Sequence, residues 1–400
     1  MIKIKQILKT TSIALFLTMN SQGADIKEFN SPQDYIADFT EISNIVKKRY
    51  SHLENKKIDA DSLFRLYSEY IQTAKTKEEY NNLLLAYFAE LRNSHTDVHL
   101  FPRFSINCNA KLVENRVFID AVGRSLSETS INVKDEILAI DGVPTLEWID
   151  RQQKFVSEST DESRFHNAVK RIFFDYSDGV RTLLLSTQTG KSEVTLTFVK
   201  SSNNVTNSVN TVISSVINDS IGYISISSMQ GNVVAIFEEE FEKIRTKPVL
   251  ILDIRNNSGG NSGYSEKITK YLIQEKQKAC VSEHNLKPKS NYYKGKLVVL
   301  IGINTFSAAE SFALDLKESG NAIFIGSETR GCTGNIPKNF TTKYGTSFRI
   351  PTRKPPQVSP KGFPMEGIGI KPDFTVYQTV EDYLNDVDTV LEFAINKVSE

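Results

Sequence analysis

Ser307 opens a helical pattern, with apolar residues at Ala308, Ala309, Phe312, Ala313 and Leu316, and the apolar run Lys296–Gly302 leads into it. A serine at a helix start lies among free backbone N–H groups, and these with the helix dipole can stabilise a developing oxyanion. A second apolar run, Pro248–Arg255, ends in Asn256-Asn257-Ser258-Gly259-Gly260. A glycine pair there can bring another N–H close to the same point. A nucleophile with two such donors is the core of acyl transfer, and a serine hydroxyl needs a base beside it. Five histidines are available: His52, His95, His99, His166 and His284. His95, in Ser94-His95-Thr96, ends a helical region, and Glu366 is a carboxylate that could hold an imidazole in the right tautomer. Spacing alone does not choose among the histidines.

Each residue also has a plainer reading. Ser307 suits a helix N-cap, with Glu310 completing a capping box. Gly259-Gly260 suits a turn, His95 a helix end and Glu366 a solvated loop. Their joint occurrence is what favours chemistry.

The elements that would position these residues fall into three stretches. Residues 29–92 carry 3.6-residue periodicity, as in Tyr35, Phe39, Ile42, Val46 and in Leu63, Leu66, Tyr67, Tyr70, with Ser62 and Thr76 at helix starts. Residues 103–200 turn strand-like at Ala110–Val113, Arg116–Ala121, Glu136–Ile140, Thr182–Ser186 and Glu193–Val199, with a tight Asp141-Gly142 turn. A Ser/Asn-rich linker follows over Ser201–Ser208. Residues 220–378 alternate strands and helices, which predicts βαβ units and a mostly parallel sheet, and Val380–Val398 is amphipathic.

Bulk properties narrow the function. The formal net charge is zero, so nucleic-acid binding has no electrostatic support. The three cysteines, Cys108, Cys280 and Cys332, have no metal spacing, and His95/His99 lack a metal-binding motif; no metal or organic cofactor is implied. Lys3, Lys5 and Lys9, the apolar stretch Ile13–Met19 and Ser21–Ala24 have the order of a secretory signal, too short to span a bilayer. This predicts a signal peptide over 1–24 and export to a periplasmic or extracellular site, with no transmembrane segment.

Four blocks together resemble the carboxyl-terminal processing (tail-specific) serine proteases: Leu91–Thr96, Leu252–Gly260, Thr305–Glu310 with Gly326–Gly331, and Glu366–Asp373. One style in that family uses a Ser–Lys dyad, with the lysine at the position held here by Cys332, so the dyad is excluded. The resemblance is to the tricorn-core style, and implies Ser307 as nucleophile, His95 as base and Ser94 as a link from His95 to Glu366. It implies oxyanion donors at the Gly260 and Ala308 N–H groups. It implies an α/β fold: a crotonase-like protease core at 206–400, an N-terminal helical domain at 25–102 and a PDZ-like β module at 103–205. No glycine-rich carboxylate-binding loop precedes a strand, so that module reads as a degenerate PDZ-like lid.

The expectation is an exported serine endopeptidase acting on polypeptides. A non-enzymatic carrier of peptides or apolar ligands on the same scaffold is the alternative, although a carrier needs no Ser307, His95 and Glu366 together. An α/β-hydrolase is disfavoured, because Thr305 and Ala309 replace the glycines of its nucleophile elbow.

Overall fold

The computed structural model describes residues 26–201, 211–353 and 358–399. The expected signal peptide over 1–24 and all of the Ser/Asn-rich stretch but Ser201 lie outside the described residues.

Ser307 rests on a six-stranded sheet. Its order is Val212–Val216, Ile221–Ile226, Val249–Asp253, Lys296–Ile301, Ala322–Gly326 and Phe374–Thr375. The first pair is antiparallel and the rest are parallel. Helices Val233–Ile244, Ser262–Leu272 and Ala308–Ser319 connect successive parallel strands. Side chains alternate between the two faces of a strand. Leu250 and Leu252 therefore pack with Phe237, Phe241, Ile268 and Phe312 of the three helices. Ile251, Val298 and Leu300 point the other way, against Val390 and Ala394 of the C-terminal helix Thr389–Ser399. Both faces are covered, which is why these strands read as unbroken apolar runs. Each such side chain, fully buried, contributes about 1.5–3 kcal/mol.

The N-terminal part folds into helices Pro32–Arg49, Ala60–Gln72 and Lys77–Glu90. Thr76 caps the third, its hydroxyl accepting the Glu79 N–H. The second is capped by Asp59, not Ser62; the Asp59 carboxylate accepts the N–H groups of Asp61 and Ser62. The helices bury Phe39, Ile42, Tyr80, Leu84 and Phe88 together with Phe348 and Ile350, which come from far down the chain. Those two lie in an antiparallel hairpin, Ile336–Thr341 with Ser347–Arg353, whose second strand also pairs with Asp97–His99. Strand–helix alternation is thus broken at 336–353, where a hairpin leaves the core to cover the helices. Buried Asp38 ties the two parts, accepting from Tyr80 Oη at 2.6 Å and Thr346 Oγ1 at 2.7 Å.

Between these parts lies an antiparallel sheet ordered Cys108–Val113, Arg116–Val122, Glu136–Ile140, Val180–Thr187 and Gly190–Thr197. Asp141 and Gly142 turn with φ of 48° and 77°, left-handed values that suit Asp-Gly. Two helices absent from the periodicity reading, Thr145–Gln152 and Asp161–Ala168, interrupt the strands. Trp148, Ile149 and Ala168 pack on Ile140, Leu183 and Leu185. Among the described residues no helix is long and apolar enough to cross a membrane.

Candidate active site

Ser307 stands between strand Lys296–Ile301 and helix Ala308–Ser319, at the carboxyl end of the parallel strands. Open α/β sheets place their ligands at that end. Its φ is 58° and ψ −118°, outside the usual helical and extended regions. Holding a non-glycine residue there costs about 1–3 kcal/mol, and the surroundings must enforce it. Thr305 Oγ1 donates to the Ile254 carbonyl at 2.9 Å, and the Phe306 N–H donates to the Asn257 carbonyl at 3.0 Å. Behind the helix start, fully buried Glu310 accepts from the Ser307 N–H (3.1 Å), the Cys332 N–H (3.0 Å), the Gly331 N–H (2.6 Å) and Thr329 Oγ1 (2.7 Å). Burial raises this carboxyl to about 7 against the pull of those bonds. The Ser307 hydroxyl makes no cap hydrogen bond and is therefore free to point elsewhere.

The glycine pair approaches from the neighbouring strand. Gly259 has φ of 83°, and a Cβ there would lie 2.5 Å from the Phe306 carbonyl oxygen and 2.9 Å from Ser307 Cβ. Only glycine lets the two loops touch. The N–H groups of Gly260 and Ala308 have no hydrogen-bond partner among the described residues.

His95 follows the third N-terminal helix. Its N–H donates to Asn93 Oδ1 at 2.9 Å, a local turn that fixes the backbone. The imidazole is buried, stacked on Phe306 with centroids 4.6 Å apart, and Arg330 lies over the Phe306 ring at 4.3 Å. Arg330 is held by buried Glu158, its Nε donating to Oε2 at 2.8 Å. His95 Nε2 lies 2.9 Å from Ser307 Oγ. Its Nδ1 lies 2.9 Å from Cys332 Sγ. Burial pushes the imidazole pKa down to about 3, with Glu366 acting in the opposite direction, so the ring is neutral at pH 7. A neutral imidazole beside a hydroxyl is a competent base.

Glu366 does not hydrogen-bond to the ring. Its Oε1 accepts from Ser159 Oγ (2.9 Å) and Asn93 Nδ2 (3.0 Å) and pairs with Lys56 Nζ (2.7 Å); its Oε2 accepts from Asn335 Nδ2 (2.7 Å). Burial works to raise its pKa, but Lys56 foremost, with His52 and Ser159, brings it below the ordinary value. Ser94 Oγ pairs with Ser159, at 3.2 Å, and not with His95. The link expected through Ser94 therefore runs Ser94–Ser159–Glu366 and ends there.

Three family models match stretches of this chain. The model of peptidase family S41 matches residues 220–376, that of an S41-family N-terminal domain of Bacteroidetes residues 112–198, and that of the tricorn protease C1 domain residues 31–89. The chain belongs to the S41 peptidases, the carboxyl-terminal processing serine proteases. Two family relatives are the carboxyl-terminal-processing proteases of Synechocystis sp. and Picosynechococcus sp.. They are 26% identical over 75% of this chain and 24% over 68%, and the matches span 66% and 63% of those proteins, under two thirds of their length. Among solved structures, mature CPAF complexed with lactacystin superposes with a TM-score of 0.75 at 13% identity, covering 89% of this chain and 97% of that one. The photosystem II D1 C-terminal processing protease superposes at 0.52 and 17%, covering 90% and 95%. These superpositions show a shared fold.

Within this S41 chain Ser307 and His95 are in contact, the Gly259–Gly260 turn abuts Ser307 and Ala308 at Gly259, and Glu366 is separated from the imidazole by Asn335 and Cys332. Sequence reasoning missed the residues that fill that gap: Cys332, Asn335, Ser159, Asn93, Lys56 and His52. Cys332 enters the sequence reading only as a cysteine without metal spacing and as the position that lacks the lysine of a dyad. The others lie in loops with no periodicity to mark them, and only their convergence in space reveals them.

Proposed function

We propose that this chain is an exported serine endopeptidase that cleaves polypeptides through a covalent acyl-enzyme. Ser307 Oγ attacks the scissile carbonyl, and His95 Nε2 takes its proton and returns it to the leaving amine. The Gly260 and Ala308 N–H groups receive the oxyanion, and their lack of other partners supports that role. Glu366, which Ser94 reaches through Ser159, anchors the polar network behind the base. The observation that carries this reading is the 2.9 Å contact of Ser307 Oγ with a buried, neutral His95. The cavity of about 2070 Å³ between the middle sheet and the core is lined by Asn256 and Asn304 but not by Ser307 or His95, so the polypeptide substrate rests on the chemistry of the site and not on that cavity. The middle module, residues 103–205, acts as a degenerate PDZ-like lid over the core at 206–400, with the helical domain at 25–102 supplying the base.

Fluorophosphonate labelling of the purified protein tests the assignment, with Ser307→Ala and His95→Ala beside it. Modification of Ser307 that vanishes in the first variant and falls about 10²-fold or more in the second is expected. Equal labelling in all three would overturn it. Cleavage of an unfolded protein such as casein, lost in Ser307→Ala, tests the endopeptidase step, and N-terminal sequencing of protein from the exported fraction tests removal of residues 1–24.

A further inference from the structure

A neutral imidazole carries one proton. For Nε2 to accept from Ser307, that proton must sit on Nδ1, where an acceptor is needed. The atom there is a sulfur, Cys332 Sγ at 2.9 Å. Thiol sulfur is a weak acceptor, so something must hold it in place. Asn335 does so. Its Nδ2 faces Cys332 Sγ at 3.3 Å and donates to Glu366 Oε2 at 2.7 Å. The Asn335 amide is itself fixed, because its Oδ1 meets His52 Nε2, while His52 Nδ1 meets Asn55 Nδ2 at 3.1 Å. Phe306 supplies the last restraint by stacking on the imidazole.

We propose that Cys332 is a positioning residue for His95: its sulfur accepts the Nδ1–H and fixes the tautomer in which Nε2 faces Ser307, while Asn335 ties that sulfur to Glu366. This rests on the reading of Ser307 and His95 as nucleophile and base. The thiol keeps its proton, since burial and the charge of Glu366 both push its pKa up. Cys332 therefore supplies orientation and no charge. When the imidazolium forms, the charges that reach it are those of Glu366, Arg349, Arg330 and His52, with Lys56 set against Glu366. Glu366 acts on the base across one asparagine and one cysteine.

Nitrogen-15 spectra of the histidine rings, assigned with His95→Gln, read the tautomer at pH 7 whether or not the protein turns over. Fluorophosphonate labelling rates then read its consequence in Cys332→Ser and Cys332→Ala. The expected result is an Nδ1–H tautomer in the wild type and in Cys332→Ser, whose hydroxyl also accepts. Cys332→Ala should lose the single tautomer and label about 10–100-fold more slowly, part of the ~10²–10⁴ a general base supplies. An Nε2–H tautomer in the wild type, or wild-type labelling by Cys332→Ala, overturns the proposal. A wild type that shows the Nδ1–H tautomer, lost in Cys332→Ala, yet never labels would sink the nucleophile reading and leave the positioning role standing. Should Cys332→Ala fail to fold, the wild-type tautomer and Cys332→Ser decide.

Discussion

Lys56→Met breaks the buried charge pair behind the His95 imidazole, and with it the hydrogen bond that Lys56 Nζ donates to the Arg92 carbonyl. Lys56 Nζ lies 2.7 Å from Glu366 Oε1, with side chains only 11% and 5% exposed, so water does little to screen the pair. Methionine keeps the stem and removes the cation. Glu366 is then a buried carboxylate with three neutral donors, Ser159, Asn93 and Asn335. Removing one partner of a buried pair costs about 3–5 kcal/mol, and the three remaining bonds place this case near the low end, at ~3 kcal/mol. The sign with pH follows from the causes. In the wild type burial is the largest effect, but Lys56, His52 and Ser159 together outweigh it and hold Glu366 below 4.5, so its contribution to stability is present above 4.5 and lost as pH falls through the folded value. Without Lys56, burial dominates and the folded pKa rises above 4.5. Lys56→Met should therefore be destabilised by ~3 kcal/mol at pH 8 and by far less at pH 5. Urea unfolding of both proteins at the two pH values measures this, and adding Glu366→Gln to Lys56→Met should recover most of the loss at pH 8. A penalty that is the same at pH 5 and 8, or that persists in the double variant, refutes the reasoning.

Three further outcomes follow from the geometry. The labelling rate of Ser307 should stay flat from pH 8 to about 5, because burial holds the His95 pKa near 3; a half-maximal rate near 6.5, the ordinary imidazole value, would contradict that burial. Gly259→Ala forces a Cβ to 2.5 Å from a backbone oxygen at a left-handed φ, so labelling should fall about 10²-fold or more as the oxyanion loop withdraws from Ser307; unchanged labelling would show that this close approach is not needed. Glu310→Ala leaves three backbone N–H groups and the Thr329 hydroxyl without their buried acceptor, which should lower unfolding stability by about 3 kcal/mol or more in a denaturant titration; a loss under 1 kcal/mol would mean that water replaces the carboxylate.

Much of the core was legible in the sequence. Leu250, Leu252, Val298 and Leu300 sit in runs that only a sheet covered on both faces demands, and the turn Asn256–Gly260 and the helix start at Ser307 follow directly from two such runs. The hairpin 336–353 was not legible, because its alternation is imperfect: Ile350 and Pro351 are both buried, and Lys338 and Asn339 are consecutive exposed residues in its first strand. Two short helices at 145–152 and 161–168 escaped for a related reason. Eight residues give barely two turns, too few for a periodicity to stand out against the strands around them. At the site, Ser307, His95 and Glu366 belong to recognisable blocks, whereas Ser159 and Asn335 belong to none. A hydrogen-bond relay is a property of positions in space, and nothing in the local chain records it.

The site is consequently a product of docking and not of any one segment. Ser307 and His95 are separated by 212 residues, and the sulfur behind the imidazole comes from beyond both. The serine side is self-contained: Thr305, Glu310 and the Gly259 loop impose the Ser307 backbone from within the parallel core. The base side is not. His95 leaves the N-terminal helices, and its place over Ser307 depends on Phe348 and Ile350 filling the helical core, on Asp38 gripping Thr346, and on strand Asp97–His99 pairing with Ser347–Arg353. The hairpin that carries those residues begins at Ile336, directly after Asn335. The same short segment thus seats the helices and carries Cys332 and Asn335 to the back of the imidazole. Seating the helices and backing the base are therefore coupled by chain connectivity, so a displacement of the hairpin acts on both at once while the strain at Ser307 persists.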